Sequence, residues 1–491
     1  MIEFKPAKNQ EMTASVNGIL LHSAYNPSKE AERFVDNLHL TYESIIILIE
    51  PALAYTALYL RKKFPDKKIG AIRFSDEFKD YNSEFDFIFD YHNPYLSNLS
   101  DLLLHKIGEE NLYSCRFIDW EASKKTFSLQ YNSAIKEIEN ALQKAKTILV
   151  TREYFEKKWF LNSLNFLKYL KNPVHLNEKI NKNILIITSG PSLRNVINII
   201  KEHQNLFFII VLSSALSICI KNNIRIDLCM TTDGGFWAGQ HLKHITNDIP
   251  IAIPSEAYCP KAILNNNPIL PMYYKDGLSK ELFKLFPFEK SVEAERNGTV
   301  SGTALKYALK ISDKDIFFAG LDMANAKGFQ HTQPNELEIN NSLNDYRINN
   351  KETRLCKSEF SEGSMKLYLN WFQNENFAGR TIYRIIDNAK NKLGQLIDIS
   401  SADFFSKINL INKDFCSQNI QQSLEASKRD LSCLNFSTDA IIELVNKGGL
   451  KTLFPLSFMS LLHNPDNKEV EERLLNEKNK LINKIKDICD D

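Results

Sequence analysis

Four short segments combine residue types suited to holding a phosphorylated ligand and moving a proton near it. Thr188-Ser189-Gly190-Pro191-Ser192-Leu193 follows the apolar run Ile184–Ile187 and precedes a helix with apolar positions Val196, Ile197, Ile199 and Ile200. Gly190 permits close backbone approach, Pro191 fixes the turn, and Ser192 is suited to capping the helix. Free N–H groups and the helix dipole would then face a phosphate. Thr231-Thr232-Asp233-Gly234-Gly235 ends a second strand, where an acid before two glycines suits a ribose, a metal, a reacting hydroxyl or a plain solvated turn. Asn297-Gly298-Thr299-Val300-Ser301-Gly302 leads into a helix that its hydroxyls can also simply cap. Gly320-Leu321-Asp322 closes another strand, and Lys327-Gly328-Phe329-Gln330-His331 follows, so that Asp322 and His331 can converge. The expected catalytic residues are His331, Asp322 and Asp233. Nucleotide or phosphate contacts are expected from Ser189, Gly190, Pro191, Ser192, Leu193, Thr232, Gly234, Asn297, Gly298 and Thr299, with no metal ligand. His331 is first choice as a base, because an imidazole is largely deprotonated near neutral pH without tuning.

These segments need a scaffold that brings strand ends together. Apolar runs predict strands over 184–188, 207–212, 227–231, 249–253, 269–273 and 315–319, with helices over 193–203, 213–222, 236–245 and 302–311. Such alternation gives a parallel, doubly wound sheet whose ligand crevice lies at the strands' carboxyl ends. Glycine is scarce, 17 in all, and those at 190, 234, 235, 239, 277, 298, 302, 320 and 328 place the site mid-chain.

The fold class is α/β. Residues 1–130 read as a smaller α/β domain with strands over 44–50, 69–74, 85–90 and 115–118 and helices over 27–37, 51–63 and 94–106. Its first turn, Pro51-Ala52-Leu53-Ala54, has no glycine, which argues against a dinucleotide pocket there. Residues 131–175 read as a helical connector whose aromatic stripe (Tyr154, Phe155, Trp159, Phe160) suits core packing. Residues 176–400 are the doubly wound, Rossmann-like centre, and 401–491 a helical domain. In the last helix Val470, Leu474, Leu475, Leu481, Ile482, Ile485 and Ile488 form one stripe that can pack on this chain or support oligomerisation.

With 25% charged and 43% apolar residues the chain can build ordinary cores, and a net charge of +1 offers no basic field for nucleic acid. The eight cysteines form no CxxC pair, the start lacks a signal-peptide layout, and the uncharged run Leu206–Ile220 is shorter than the ~20 residues a bilayer helix needs. A cytoplasmic protein with reduced thiols and no membrane span is expected.

In this order, several segments resemble the motility accessory factor (Maf) family, also called the MptE-like motility-associated glycosyltransferase family. They are His22–Ala31; Thr151–Phe155 with Trp159 and Asn162; Ser189–Leu193; Thr232-Asp233; Val300–Ala308; Gly320–Asp322 with His331; and Arg384–Asn388 with Leu393-Gly394. The resemblance covers about residues 15–400. It implies a sialyltransferase-like central domain that attaches a CMP-activated nonulosonic (sialic-like) acid to Ser or Thr of flagellin with inversion, requiring no cofactor. Relatives often carry a glycine-rich turn where this chain has Pro51–Ala54. Two other readings stand beside it. One is an ATP- and Mg²⁺-dependent hydroxymethylpterin diphosphokinase using Asp233 or Asp322 as metal ligand, though no P-loop lysine is present. The other is a non-enzymatic flagellin-binding assembly factor.

Overall fold

A computed structural model describes residues 2–95, 98–285, 288, 290–324, 329–348, 350, 364–377, 379–413, 424–427 and 437–490. The chain forms two compact units, Met1–Phe155 with Leu450–Lys478, and Glu156–Gly449 with Asn479–Asp491.

The first unit opens with an antiparallel sheet that was not foreseen, β1 (Ile2–Pro6), β2 (Met12–Val16) and β3 (Ile19–Leu20). A parallel sheet follows in the order β6-β5-β4-β7, from β4 (Ile45–Ile49), β5 (Lys68–Arg73), β6 (Phe87–Asp90) and β7 (Cys115–Asp119). All five residues of β4 are buried, as an unbroken apolar strand with neighbours on both edges requires. Around it pack α1 (Pro27–Asp36), capped by the Asn26 side chain, α2 (Tyr55–Lys63) and α3 (Leu99–Ile107). Helix α2 starts later than expected, because the preceding turn has positive φ at Glu50 (43°), Ala52 (46°) and Ala54 (60°). These are values that glycine normally takes. The turn therefore keeps a glycine-like shape without glycine. Its N–H groups are bonded internally. Ala52 N–H donates to Glu50 Oε1 (3.2 Å) and Leu53 N–H to His22 Nε2 (3.1 Å). Burial, with Arg73 nearby, pushes the His22 imidazole down to about 3, so the ring stays neutral and accepts.

In the second unit a nine-stranded, wholly parallel sheet has the order β14-β13-β12-β11-β10-β9-β15-β16-β17. Helix α4 (Ser128–Tyr169), whose later residues belong here, leads to β8 (Val174–Leu176). The sheet strands are β9 (Asn183–Ile187), β10 (Phe207–Leu212), β11 (Leu228–Met230), β12 (Ile251–Pro254), β13 (Ile269–Tyr274), β14 (Val292–Ala294), β15 (Ile316–Ala319), β16 (Ile382–Ile385) and β17 (Ile397–Ile399). The helices used below are α5 (Leu193–His203), α6 (Phe236–His241), α7 (Val300–Ile311), α8 (Glu336–Leu343), α9 (Ser401–Lys413) and α10 (Lys468–Asp490). Alternate strand residues face opposite cores. Ile184, Ile186, Phe208 and Ile210 pack with Ala304, Leu305 and Ala308 of α7. Leu185, Ile187, Phe207 and Ile209 pack with Val196, Ile197 and Ile200 of α5 and Phe404 and Ile408 of α9. Burying each of the Ile, Leu, Val and Phe side chains among these stabilises the fold by roughly 1.5–3 kcal/mol before entropic costs. Strand order runs one way from β9 to β14 and the other way from β15 to β17. The chain thus diverges between the neighbours β9 and β15, the switch point where a doubly wound sheet opens a crevice.

One expectation needs correction. Strand β18 (Leu424–Ala426) pairs antiparallel with β8, where a helical domain was expected over 401–491. In α10, Leu474, Leu481 and Ile485 are buried within this chain, one of the two outcomes the stripe allowed, whereas Leu475 is exposed. No helix among the described residues is long and apolar enough to cross a membrane.

Candidate functional site at the switch point

The turns after β9 and β15 touch along their backbones. Thr188 N–H donates to Ala319 O (2.9 Å), and Gly190 N–H to Gly320 O (2.8 Å). A Cβ on Gly190 would lie 2.2 Å from Gly320 O and 2.3 Å from Asp322 Oδ2. Gly190 thus serves contact between two turns, and a side chain there strikes backbone before it meets any ligand. The Ser192 side chain makes no capping bond, contrary to expectation. Asp322 replaces it, accepting the Ser192 N–H at 2.8 Å. Leu193 N–H donates to Gly190 O (3.1 Å), so the N–H groups of 190, 192 and 193 are engaged rather than free. An anion at the start of α5 competes with Asp322.

Asp322 is 8% exposed. Burial pushes its carboxyl up, and hydrogen bonding to Ser192 and the Arg384 charge only partly offset this. Arg384 is fully buried on β16 and reaches Asp398 of β17 through two bonds of 2.7 and 2.6 Å. Because the folded-state pKa of Asp322 lies above its unfolded value, its charged form costs stability at neutral pH, and that cost fades as pH falls through its titration. Asp322→Asn keeps an acceptor for Ser192 N–H. Its thermal midpoint should exceed that of the native chain at pH 8, with the gain shrinking towards pH 4. A gain that does not change with pH would contradict this.

The His331 segment docks on the same turn, although Lys327 and Gly328 lie outside the described residues. Thr332 donates its N–H to Ser189 O and its hydroxyl to Gly190 O, both at 2.6 Å. Ser189 Oγ lies 2.9 Å from Ser214 Oγ, and Asn335 Nδ2 donates to Ser214 O (2.8 Å). Asn335 also caps α8, accepting from Leu337 and Glu338 N–H. That helix start presents two carboxylates. Glu338 Oε1 accepts from Gln330 N–H (2.8 Å) and His331 N–H (3.0 Å) and lies 3.4 Å from His331 Nδ1. Glu336 Oε2 lies 2.8 Å from His241 Nδ1, and Oε1 accepts from the Ser217 hydroxyl. Burial pushes both carboxyls up, but these hydrogen bonds outweigh it and hold them below the ordinary range. Sequence reading missed Ser214, His241, Thr332, Asn335, Glu336 and Glu338. An Asn followed by acids in the next turn is a helix-start signal that was available for the last three.

The remaining candidates sit further along the carboxyl edge. Asp233 is exposed after β11, its Oδ1 accepting from Gly235 N–H (2.8 Å). Between β11 and β15 lie β10 and β9, so Asp233 and Asp322 sit on strands separated by about 14 Å at ordinary strand spacing. They do not converge. A Cβ on Gly234 would lie 2.7 Å from Trp159 Cδ1, and Asn162 Nδ2 donates to Gly234 O (3.2 Å) and Glu256 O (2.9 Å). Thr232 is half-buried beside them. Asn297 is buried with its amide 3.1 Å from the Thr303 hydroxyl, Gly298 has φ 76°, and Thr299 precedes α7, so this segment shapes a helix start. Nearby, Arg296 makes paired bonds to Asp276 and to Glu256 between the rings of Trp159 and Tyr274. Among the described residues no group of three His, Cys, Asp or Glu is placed to hold a metal ion. A cavity of about 290 Å³ lined by His175, Leu176, Lys290, Val292, Tyr307 and Lys310 lies beside the starts of β13 and β14 and includes none of these loops. The convergent polar groups therefore mark the site better than the cavity does.

Residues 157–328 match the family described as 6-hydroxymethylpterin diphosphokinase MptE-like. An uncharacterized protein of Treponema pallidum (strain Nichols) is 30% identical over 279 residues, covering 56% of this chain and 60% of that protein. The chain thus matches less than two thirds of that relative's length. The solved structure of MAf glycosyltransferase from Magnetospirillum magneticum AMB-1 is similar over 99% of this chain and 90% of that one, with TM-score 0.56 and 12% identity. At that identity the likeness is one of fold.

Proposed function

From the MptE-like domain at residues 157–328 and the shared fold, we infer that the chain is a glycosyltransferase of the Maf/MptE-like family. In this reading it moves a nonulosonic acid from a CMP-activated donor to a Ser or Thr hydroxyl of flagellin in the cytoplasm. The observation that carries the reading is the docking of the His331–Thr332 segment on the Ser189-Gly190 turn at the switch point. A proton acceptor is thereby held beside the place where a doubly wound sheet takes its nucleotide. The acceptor oxygen attacks the sugar's anomeric carbon as the bond to the CMP phosphate oxygen breaks. CMP departs, and His331 takes the hydroxyl proton. One displacement of this kind inverts the anomeric centre. Because Asp322 holds the start of α5, the donor phosphate lies beside the Ser189–Leu193 turn rather than on its amides. Asp233, exposed beside the half-buried Thr232 and the buried Gly234, suits the ribose, and the Asn297–Thr299 segment borders the same edge. No cofactor is required.

The family's description favours a second reading, an ATP- and Mg²⁺-dependent diphosphokinase. Asp233 and Asp322, its candidate ligands, stand three strand spacings apart, and Asp322 already accepts the Ser192 N–H. CMP should therefore raise the thermal midpoint of the full chain more than ATP with Mg²⁺. The opposite order moves the assignment to the diphosphokinase. Intact flagellin from cells lacking the gene should be lighter by the sugar. Equal masses would rule out transfer to flagellin and leave the diphosphokinase or an assembly role, which the nucleotide order separates.

A further inference from the structure

We propose that Glu338 is the positioning residue for His331, fixing its ring so that Nε2 is the atom that accepts the acceptor hydroxyl's proton; this rests on the glycosyltransferase reading above. One carboxylate oxygen, Oε1, receives Gln330 N–H (2.8 Å) and His331 N–H (3.0 Å) and faces His331 Nδ1 at 3.4 Å. Backbone and ring of one residue are thus tied to a single atom. Glu338 is 2% exposed, whereas the His331 side chain keeps 22% of its surface open. The anchor is inside and the imidazole reaches the surface. Glu338 is itself held, its N–H donating to Asn335 Oδ1 (3.3 Å), while Asn335 Nδ2 donates to Ser214 O (2.8 Å). Ser214 Oγ in turn lies 2.9 Å from Ser189 Oγ, in the turn on which Thr332 docks. The carboxylate, the imidazole and the phosphate-side turn form one hydrogen-bonded frame. A carboxylate facing Nδ1 favours the tautomer with hydrogen on Nδ1, leaving the Nε2 lone pair to act as base. The paired contact of Glu336 with His241 repeats the device two residues earlier on the same helix start, without a backbone tie to the histidine.

Glu338→Gln separates the two duties. Its amide oxygen still accepts both backbone N–H groups, but it gives the ring no negative charge. In the full chain kcat should fall by roughly 10²-fold with the KM for donor unchanged, the pattern of an interaction felt in the transition state. Glu338→Asp, which restores a carboxylate, should recover part of that loss. In the native chain, ¹⁵N spectra of the His331 ring should show hydrogen on Nδ1 and a bare Nε2, a readout that does not depend on any variant folding. Unchanged kcat in Glu338→Gln while His331→Ala is inactive would overturn the positioning role and leave the transferase reading intact. Hydrogen on Nε2 in the native spectrum overturns it equally. Full turnover in His331→Ala removes both the role and the reading beneath it.

Discussion

His331→Ala should lower sugar transfer by roughly 10²–10⁴-fold, about 3–5 kcal/mol of barrier, with little change in CMP affinity. A positioned general base acts on the incoming hydroxyl, which the nucleotide does not include, so affinity for CMP is a fair control. The His331 segment is tied to the Ser189-Gly190 turn through Thr332, not through its own ring, so removing the imidazole leaves that docking in place. The variant should therefore keep the native thermal midpoint. Activity should also persist in EDTA, because the proposed displacement uses no metal. Asp322 makes a poorer base, since one of its oxygens already receives Ser192 N–H at the start of α5. Asp233 is exposed and three strands away from β15. If His331→Ala retains most of its turnover while Asp233→Asn or Asp322→Asn abolishes it, the base is a carboxylate.

The centre of the fold was legible because its strands are long apolar runs. Ile184–Ile187 and Phe207–Leu212 lie between neighbours and between two helical layers, so every position is apolar and the pattern is unmistakable. Strands β14, β16 and β17 were not legible, for the opposite reason. Each has three or four residues and carries Glu293, Arg384 or Asp398. Arg384 and Asp398 stand directly across from each other in the β16–β17 register, so two charges that look like loop chemistry hold strands together. The site shows the same limit. Sequence placed Ser189–Leu193 and Gly320–Asp322 at strand ends but gave the helix cap to Ser192, the local candidate. Asp322, which takes that role, lies 130 residues away in the chain. Glu336 and Glu338 show how uneven such hints are. Glu338 is seven residues from His331, within reach of local reasoning, whereas Glu336 meets His241 across 95 residues.

Arg73→Met should be the most damaging single change in the first unit, costing about 3–5 kcal/mol. Arg73 donates from Nη1 to Glu50 Oε1 (3.0 Å) and Ala52 O (2.7 Å), and from Nε to Asn82 Oδ1 (2.8 Å). Glu50 also accepts Phe74 N–H, and both side chains are buried, at 1% and 0% exposure. Burial pushes the Glu50 carboxyl up and the Arg73 guanidinium down, in each case against the pull of the partner, so the pair itself is a modest contributor. Removing one member is different, because it leaves a charge with no water and no counter-ion. The damage should centre on the Glu50–Ala54 turn, whose left-handed residues depend on these bonds. Amide hydrogen exchange of Ile45–Ile49 reads this change where it arises, in the first of the two units. The sign with pH follows from Glu50. Without Arg73 its folded-state pKa rises further above the unfolded value, so the folded variant takes up a proton and its deficit narrows as pH falls. Glu50→Leu combined with Arg73→Met should recover part of the loss, because no charge is left stranded, but not all of it. Ala52 and Phe74 still lose their side-chain partners. Native protection of Ile45–Ile49 in Arg73→Met would show that the turn holds its shape without the pair.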